Sequence, residues 1–505
     1  MPPSKFSKYT ALVLLFAMIF SLTACRTKQP PSPYVQPEKT ALVYYRMNDG
    51  TDLKPFIDEY KAIKGNEMVN IQQVLFTDLQ KYEDRIVNEL AEGAGPDMFS
   101  MPNYWIAKHQ KKIAPIPQNM MTAKQFSDTF VNVAEKDLVR PEDSTNPTSP
   151  LRIYGLPMSV DTLAIYYNKS QFEDRIPERG KPSVMWNSLV QDIIKLTKAD
   201  NSFERFEVAG AALGRADNIV HAVDILYTLM MQYGVKFYDQ NYKKCAIASQ
   251  QGMTQDNKPW LPGIEALNLY TSFGIQTKPH YTWNQYLAET FTPEKEIIPF
   301  AKGKVSMIFG FSDYYKKITD AIKDLKSKEQ TVIDPAFVRV GFMPQLIDPE
   351  KSPQQRTTLA IYYAETVSRT ASQKNQVEAW KFLQYLTSKD TLKSYYEKTH
   401  KPTSRRDLIP EQKTNQIYGV FAEQAGFSDS ILIYDNDYYS KAFADAVQSV
   451  LGGERTDIAL KKIEDKINSI LPEKGLVPPG PYLTNQAATQ ATGATSKTGT
   501  QTKNK

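Results

Sequence analysis

From Thr40 to about residue 480, short apolar or alternating runs keep changing places with stretches of helical period. That alternation restricts the fold more than any other feature of the chain. Ala41–Arg46 (ALVYYR) reads as a buried strand, and a polar loop (MNDG) leads from it to a helix around Lys54–Ile63. Val69–Phe76 reads as a second strand and Asp78–Glu92 as a helix closed by Gly93, after which GAGPDMFSMP turns into a third strand. Leu163, Ile165 and Tyr167 alternate as in a half-buried strand, while Leu189, Ile193 and Leu196 stand at helical spacing within Asn187–Lys198. Ile219, Val223, Leu226 and Met230 repeat the helical spacing ahead of a capping Gly234. Strand alternation returns at Val305, Met307 and Phe309, and at Val338, Val340 and Phe342. Val377, Trp380, Leu383 and Leu386 then share one face of a helix from Asn375, and the last helices run from about Lys441 to Leu471. The expected class is α/β.

The ends of the chain are of another kind. Lys5 and Lys8 precede an apolar run, Ala11–Leu22, which is clearly shorter than the ~20 residues of a membrane-spanning helix. Basic flank, short apolar stretch and small residues describe an export leader over 1–24. Leu22-Thr23-Ala24-Cys25 resembles the lipobox of bacterial lipoproteins, which implies cleavage before Cys25 and acylation of that residue. Buried methylenes at about 0.8 kcal/mol each would then hold the chain on a membrane. The plainer alternative is an uncleaved anchor with an incidental cysteine. Residues 25–39 carry four prolines and no apolar period, so they read as an extended tether; 484–505 lack large apolar residues and read as a disordered tail.

Composition narrows the function. Hydrophobic residues make 41% and charged residues 23% of the 505, ordinary proportions for a packed protein of two or three domains. A formal net charge of +5, dispersed along the chain, gives no nucleic-acid patch. Cys245 is the one cysteine left once Cys25 is acylated, so no internal disulfide is expected. His109, His221, His280 and His400 stand apart, with no metal-ligand spacing. Neither a phosphate-cradling glycine loop nor GxSxG occurs; Gly310-Phe311-Ser312-Asp313 lacks the second glycine of a nucleophile elbow. Neither a cofactor nor an enzymatic activity is expected. A glycosidase carboxylate pair can still come from distant segments, so a secreted hydrolase stays open as a lesser reading.

Tyr154–Phe172 (YGLPMSVDTLAIYYNKSQF) resembles the hinge-crossing segment of the extracellular solute-binding proteins of sugar ABC transporters, the maltose-binding-type family. Gly155-Leu156-Pro157 and Tyr167-Asn168-Lys169 carry that likeness. Pro182–Leu189 (PSVMWNSL) is similar to the family's helix start, and Phe300–Ile308 (FAKGKVSMI), Val340–Pro344 (VGFMP), Ala379–Thr387 (AWKFLQYLT) and Lys401–Arg406 (KPTSRR) follow in order. The resemblance spans roughly 41–471. It implies a two-lobed α/β clamp, type II-like, whose chain crosses between lobes three times, near Arg152–Pro157, Pro299–Ala301 and Pro344–Thr358. Lobe one would take 40–153 with 300–345, and lobe two 154–299 with 357–475.

The resemblance further implies a monomeric, lipid-anchored receptor on the extracytoplasmic face of the cell membrane, delivering a carbohydrate to ABC permease subunits. The same clamp holding a non-sugar solute, or serving a membrane kinase as a sensor, stays open. Hydroxyls call for hydrogen-bonding side chains and sugar C–H faces for rings; in such folds both collect beyond the carboxyl ends of strands. The expected ligand contacts are Asn48 and Asp49 after the first strand, Asp78 after the second, and Asn103, Tyr104 and Trp105 after the third. Asp161 lies past the first crossing, and Trp283 in the polar aromatic stretch HYTWNQY. Phe311 and Ser312 end a strand, Tyr362 with its neighbour Tyr363 follows the third crossing, and Arg406 trails the long helix.

Overall fold

The computed structural model describes residues 39–480 apart from 144, 145, 147, 289–291 and 294; the leader, Cys25, nearly all of the tether and the tail lie outside the described residues. Thr40–Met47 pairs in parallel with Val69–Phe76 on one side and Met98–Pro102 on the other. Tyr363–Val367 joins antiparallel to Met98–Pro102 and carries Leu156–Pro157 on its far side, closing a five-stranded mixed sheet. Leu42 and Tyr44 point from the first strand into the core, where Tyr44 meets Phe382 of the helix Gln373–Leu386 edge-on at 6.4 Å. Between the second and third strands, Asp78 caps the helix Leu79–Ala91, which buries Tyr82, Ile86 and Leu90 at every fourth position. Gly93, at φ +73°, supplies the left-handed turn that releases the chain.

A second sheet has Ala164–Asn168 in the middle, with Met307–Gly310 and Val338–Gly341 antiparallel on its two sides. Trp186–Leu196 and Ala222–Gln232 pack in the same core through Leu189, Ile193, Leu226 and Met230, which the spacing places on the buried faces, and through Trp186. Two separate apolar cores result. The first runs from Leu42 to Val160 and resumes from Ala360 to Leu408, with Ala425. The second runs from Leu163 to Leu359 and resumes from Phe421 to Leu476.

Those cores correct the expected partition. Residues 300–345 belong with the second lobe, because Met307 pairs with Tyr167 and Val340 with Tyr166. The chain from Ala360 to Leu408 belongs with the first, because Tyr363–Val367 completes the sheet begun at Thr40. Pro299–Ala301 is accordingly no crossing: it sits inside the helix Ile297–Ala301, within the second core. The three crossings lie at 160–163, at 358–361 and between Leu408 and Ile431. They run side by side. Leu163 donates its amide to Leu359 at 3.0 Å, Ala360 to Asp429 at 2.8 Å, and Asp429 to Thr358 at 2.9 Å. Asp161–Thr162 and Ala360–Ile361 form a short antiparallel ribbon at this hinge.

The last described segment returns to the first lobe. Leu476 packs in the second core, whereas the Val477 carbonyl accepts from the fully buried Arg140 and the Gly480 amide donates to Lys136 at 3.2 Å. Among the described residues, no helix is long and apolar enough to cross a membrane.

Candidate functional site

A cavity of about 200 Å³ opens at the carboxyl ends of Thr40–Met47 and Met98–Pro102, against the hinge ribbon. Its polar wall combines two charged residues set in buried strands, Arg46 and Glu365, with the loop residues Asp49 and Lys401. Glu365 is 2% exposed and accepts hydrogen bonds from the Tyr44 and Ser100 hydroxyls. Arg46 is 3% exposed, it faces an Asp49 carboxylate oxygen at 3.9 Å, and among the described residues neither Nε nor Nη1 has a hydrogen-bond partner. Burial works against the Arg46 charge, but Tyr44, Glu365 and Asp49 outweigh it and raise its pKa. Lys401 pairs with Asp49 and donates to Thr51 Oγ1 at 3.1 Å. Burial opposes the Asp49 carboxylate, and the Lys401 and Arg46 charges overcome it, so its pKa is lowered. Tyr363, Tyr395 and Met158 line the apolar side. Burial pushes the Tyr363 hydroxyl up to about 12, so at neutral pH it is a donor.

Tyr104 also borders a second cavity of about 260 Å³, which lies between the lobes: Asn103 comes from the first, and Val220, Val223 and Tyr227 from the second. Nearer the rim, Lys108 reaches Glu83 at 2.9 Å within its own lobe and Asp435 of the other lobe at 3.7 Å. Burial would raise the Glu83 pKa, but hydrogen bonds from His109 and Lys108 hold it at about 2. Among the described residues, no group of three or more His, Cys, Asp or Glu is placed to hold a metal ion.

Asp161 joins the hinge to the second lobe. Its carboxylate accepts from the Ser312 amide at 3.1 Å, from Ser312 Oγ at 2.5 Å and from the Thr162 amide at 2.8 Å. Gly310 makes this turn feasible, since a Cβ there would lie 2.2 Å from the Tyr314 ring. Burial pushes Asp161 up to about 7, with the neighbouring Asp313 adding to the rise and the Ser312 hydrogen bond opposing it.

Of the residues singled out in the sequence, Asp49, Tyr104, Asp161 and Tyr362 border the hinge cavity, as does Tyr363. Asn103 borders the interlobe cavity, where its amide donates to Asp137 at 3.1 Å; Tyr362 donates to the same carboxylate oxygen at 2.9 Å. Ser312 is buried against Asp161. The others serve elsewhere. Asn48 is exposed and closes a turn by accepting from the Gly50 amide at 3.2 Å. Asp78 is the exposed helix cap, accepting from the Lys81 amide at 3.0 Å. Trp105 is buried and stacks on Tyr82 at 5.8 Å, bordering the small pocket at the rim.

Trp283 is the largest correction: it is fully buried in the second core, and its indole N–H donates to Asn218 at 3.0 Å. Phe311 is core as well, edge-on to the His221 ring at 4.9 Å. Arg406 borders neither cavity; it donates to the Ser127 carbonyl at 3.1 Å and to Asn132 Oδ1 at 2.5 Å. Sequence reasoning did not select Arg46, Ser100, Glu365, Tyr395 or Lys401. A signal was available for two of them, because Arg46 and Glu365 are charges set inside otherwise apolar strand runs (ALVYYR and YAETV).

The model of the family described as bacterial extracellular solute-binding protein matches residues 46–393. Solved structures share the fold at low identity. The sugar-binding protein MalE of Xanthomonas citri is 11% identical with a TM-score of 0.67, over 89% of this chain and 99% of that one. The cyclic alpha-maltosyl-1,6-maltose binding protein of Arthrobacter globiformis is 16% identical with a TM-score of 0.62, over 86% and 99%. An ABC transporter solute-binding protein of Thermotoga lettingae, bound with alpha-D-tagatose, is 20% identical with a TM-score of 0.57, over 85% and 99%. No curated protein matches the chain in sequence.

Proposed function

The chain belongs to the bacterial extracellular solute-binding protein family, and on that footing we propose that it captures a carbohydrate between its lobes and delivers it to an ABC permease. One observation carries the carbohydrate assignment: a cavity beside the hinge sets two cations and three carboxyl groups against the tyrosines Tyr104, Tyr362, Tyr363 and Tyr395. Hydroxyls need the first set and the C–H faces of a sugar ring need the second. The similar structures named above that carry a sugar in their descriptions support the same reading.

The mechanism follows from the crossings. Three adjacent segments at 160–163, 358–361 and near Asp429 let the lobes turn about one edge. A ligand held by Asp49 and Tyr104 on one side and by residues such as Val223 and Tyr227 on the other stabilises the closed form by its extra contacts there. In this reading the ligand is bound and released unchanged, the part of a receptor. Acylated Cys25 and the proline-rich tether would keep it beside the permease at the outer membrane face.

Thermal unfolding of the mature chain against a panel of mono- and oligosaccharides tests the assignment. A ligand at a hundredfold excess over Kd raises the apparent stability by about 2.7 kcal/mol, so one saccharide class should lift the midpoint by several degrees. A flat response to every saccharide would refute it. Cys25→Ser should move the protein from the membrane to the soluble fraction, and continued membrane retention would refute the anchor.

A further inference from the structure

Asp137 stands where a carboxylate has little local support. It lies in the last turn of the helix Asn132–Leu138, whose carbonyl end disfavours negative charge, and it is 7% exposed. Three donors from three parts of the chain hold it there. Oδ2 accepts from Asn103 Nδ2 at 3.1 Å and from the Tyr362 hydroxyl at 2.9 Å, and Oδ1 accepts from Ser430 Oγ at 2.6 Å. All three partners are buried. A carboxylate carries acceptors alone, so it can take the three together.

The donors have different places in the fold. Asn103 follows the strand Met98–Pro102 and borders the interlobe cavity. Tyr362 follows the second crossing and borders the hinge cavity, and Ser430 lies in the third crossing. Asp137 itself borders neither cavity. Its neighbour grips the same crossing: Lys136 Nζ donates to Asp429 Oδ1 at 2.5 Å and to the Ser430 carbonyl at 2.7 Å. The main chains of Asn103 and Tyr362 are joined without it, through the Asn103 amide and the Tyr362 carbonyl at 2.9 Å. What Asp137 adds is the direction of two side chains and their connection to the hinge.

We propose that Asp137 is a positioning residue of the cleft: without touching the ligand, it fixes one side chain at each cavity and ties both to the third crossing. The arrangement of the two cavities then follows the hinge. Once untied, both side chains would have to be ordered each time a ligand binds, at the expense of affinity.

The test is titration calorimetry of the full mature chain with glucose, maltose and maltotetraose, beside amide exchange of the ligand-free protein. In Asp137→Asn the amide oxygen can accept from Asn103 and Tyr362 while its nitrogen donates to Ser430, whose hydroxyl also accepts; affinity should stay within about threefold of the wild type. Asp137→Ala should bind the same saccharide about 5- to 150-fold more weakly. Ser430→Ala cuts only the tie to the third crossing and should weaken binding by about 3- to 10-fold.

The Tyr362 amide donates to Asn103 Oδ1 at 3.4 Å, so in Asp137→Ala its exchange should quicken by about tenfold relative to the Tyr44 amide of the same sheet, and should recover in Asp137→Asn. Tyr44 and Tyr362 quickening together, with affinity unchanged, would make Asp137 a stabilising residue only and overturn the proposal. A loss that Asp137→Asn does not recover would overturn it as well. The affinity readout rests on the carbohydrate-receptor reading above; if the wild type binds no saccharide, that reading falls, while the exchange of Tyr362 still decides the role of Asp137. Should Asp137→Ala fail to fold, Ser430→Ala decides: unchanged affinity, together with unchanged exchange of the Asp429 amide that donates to the Thr358 carbonyl, would refute the tie to the hinge.

Discussion

Trp283→Phe separates a packing role from a ligand contact at a single position. The indole is completely enclosed, and its N–H answers Asn218 Oδ1 at 3.0 Å on a residue that is itself 1% exposed. Phenylalanine keeps most of the ring but leaves that oxygen buried without a donor, which costs about 1–3 kcal/mol. Asn218 retains its other bond, from Nδ2 to the Asn284 carbonyl at 2.9 Å, so the loop stays in place. For a domain of 150–250 residues about 2–4 °C are lost per kcal/mol, so the second lobe should melt on the order of 5 °C lower. Trp283→Ala adds a large cavity, a loss of about 3–5 kcal/mol before the orphaned oxygen is counted, and should unfold that lobe at moderate temperature. The assay is circular dichroism melting beside saccharide titration of the same preparation. The expected result for Trp283→Phe is a lower midpoint with affinity unchanged. An unchanged midpoint with lost affinity would place the ring in the cleft and refute the packing argument.

Three further outcomes follow from the same contacts. Asp161 has a folded pKa of about 7 against an ordinary value near 4, so the folded form holds a proton that the unfolded chain has released. Its stabilising contribution is therefore full below pH ~4 and gone once the pH passes about 7, a fall of at most about 4 kcal/mol; Asp161→Asn should flatten denaturation midpoints measured from pH 5 to 8, and an unaltered slope would contradict this. Truncation after Pro472 removes the Val477 carbonyl from the buried Arg140, which should destabilise the first lobe by about 1–3 kcal/mol, read as faster amide exchange at Val139 and Arg140. Cys245 is 4% exposed and burial pushes its thiol up to about 12, so it should react with a thiol reagent only on unfolding; rapid labelling of the native chain would contradict its placement.

Local features of the sequence carried much of the fold. Helical spacing places Leu189, Ile193 and Leu196 on the buried face of Trp186–Leu196, and alternation finds Met307 and Phe309 in a strand. What spacing cannot specify is which distant strand a given strand joins. Met307–Gly310 and Tyr363–Val367 are both short buried strands, yet one pairs with Ala164–Asn168 and the other with Met98–Pro102, and the lobe boundaries depend on that choice. The candidate site follows the same division. Loop residues after strands, such as Asp49 and Tyr104, are found by their position in the chain. Trp283 misleads because its polar neighbours suggest a surface, whereas its partner Asn218 lies 65 residues earlier. Arg46 and Glu365 escape notice because a single charge in an apolar strand is indistinguishable, in sequence alone, from one whose head reaches solvent.

Ligand-driven closure is the central claim, and the distance between the lobes tests it most directly. Lys81 and Lys441 have side chains 82% and 78% exposed; they stand on Leu79–Ala91 and Asn436–Leu451, the helices that flank the cleft rim from opposite lobes. Lys81→Cys and Lys441→Cys can be dye-labelled for energy transfer while the buried Cys245 stays unlabelled. The transfer efficiency should rise when the saccharide that shifts the melting temperature is added, and should fall again when it is removed. An efficiency that does not change at saturating ligand would contradict the clamp.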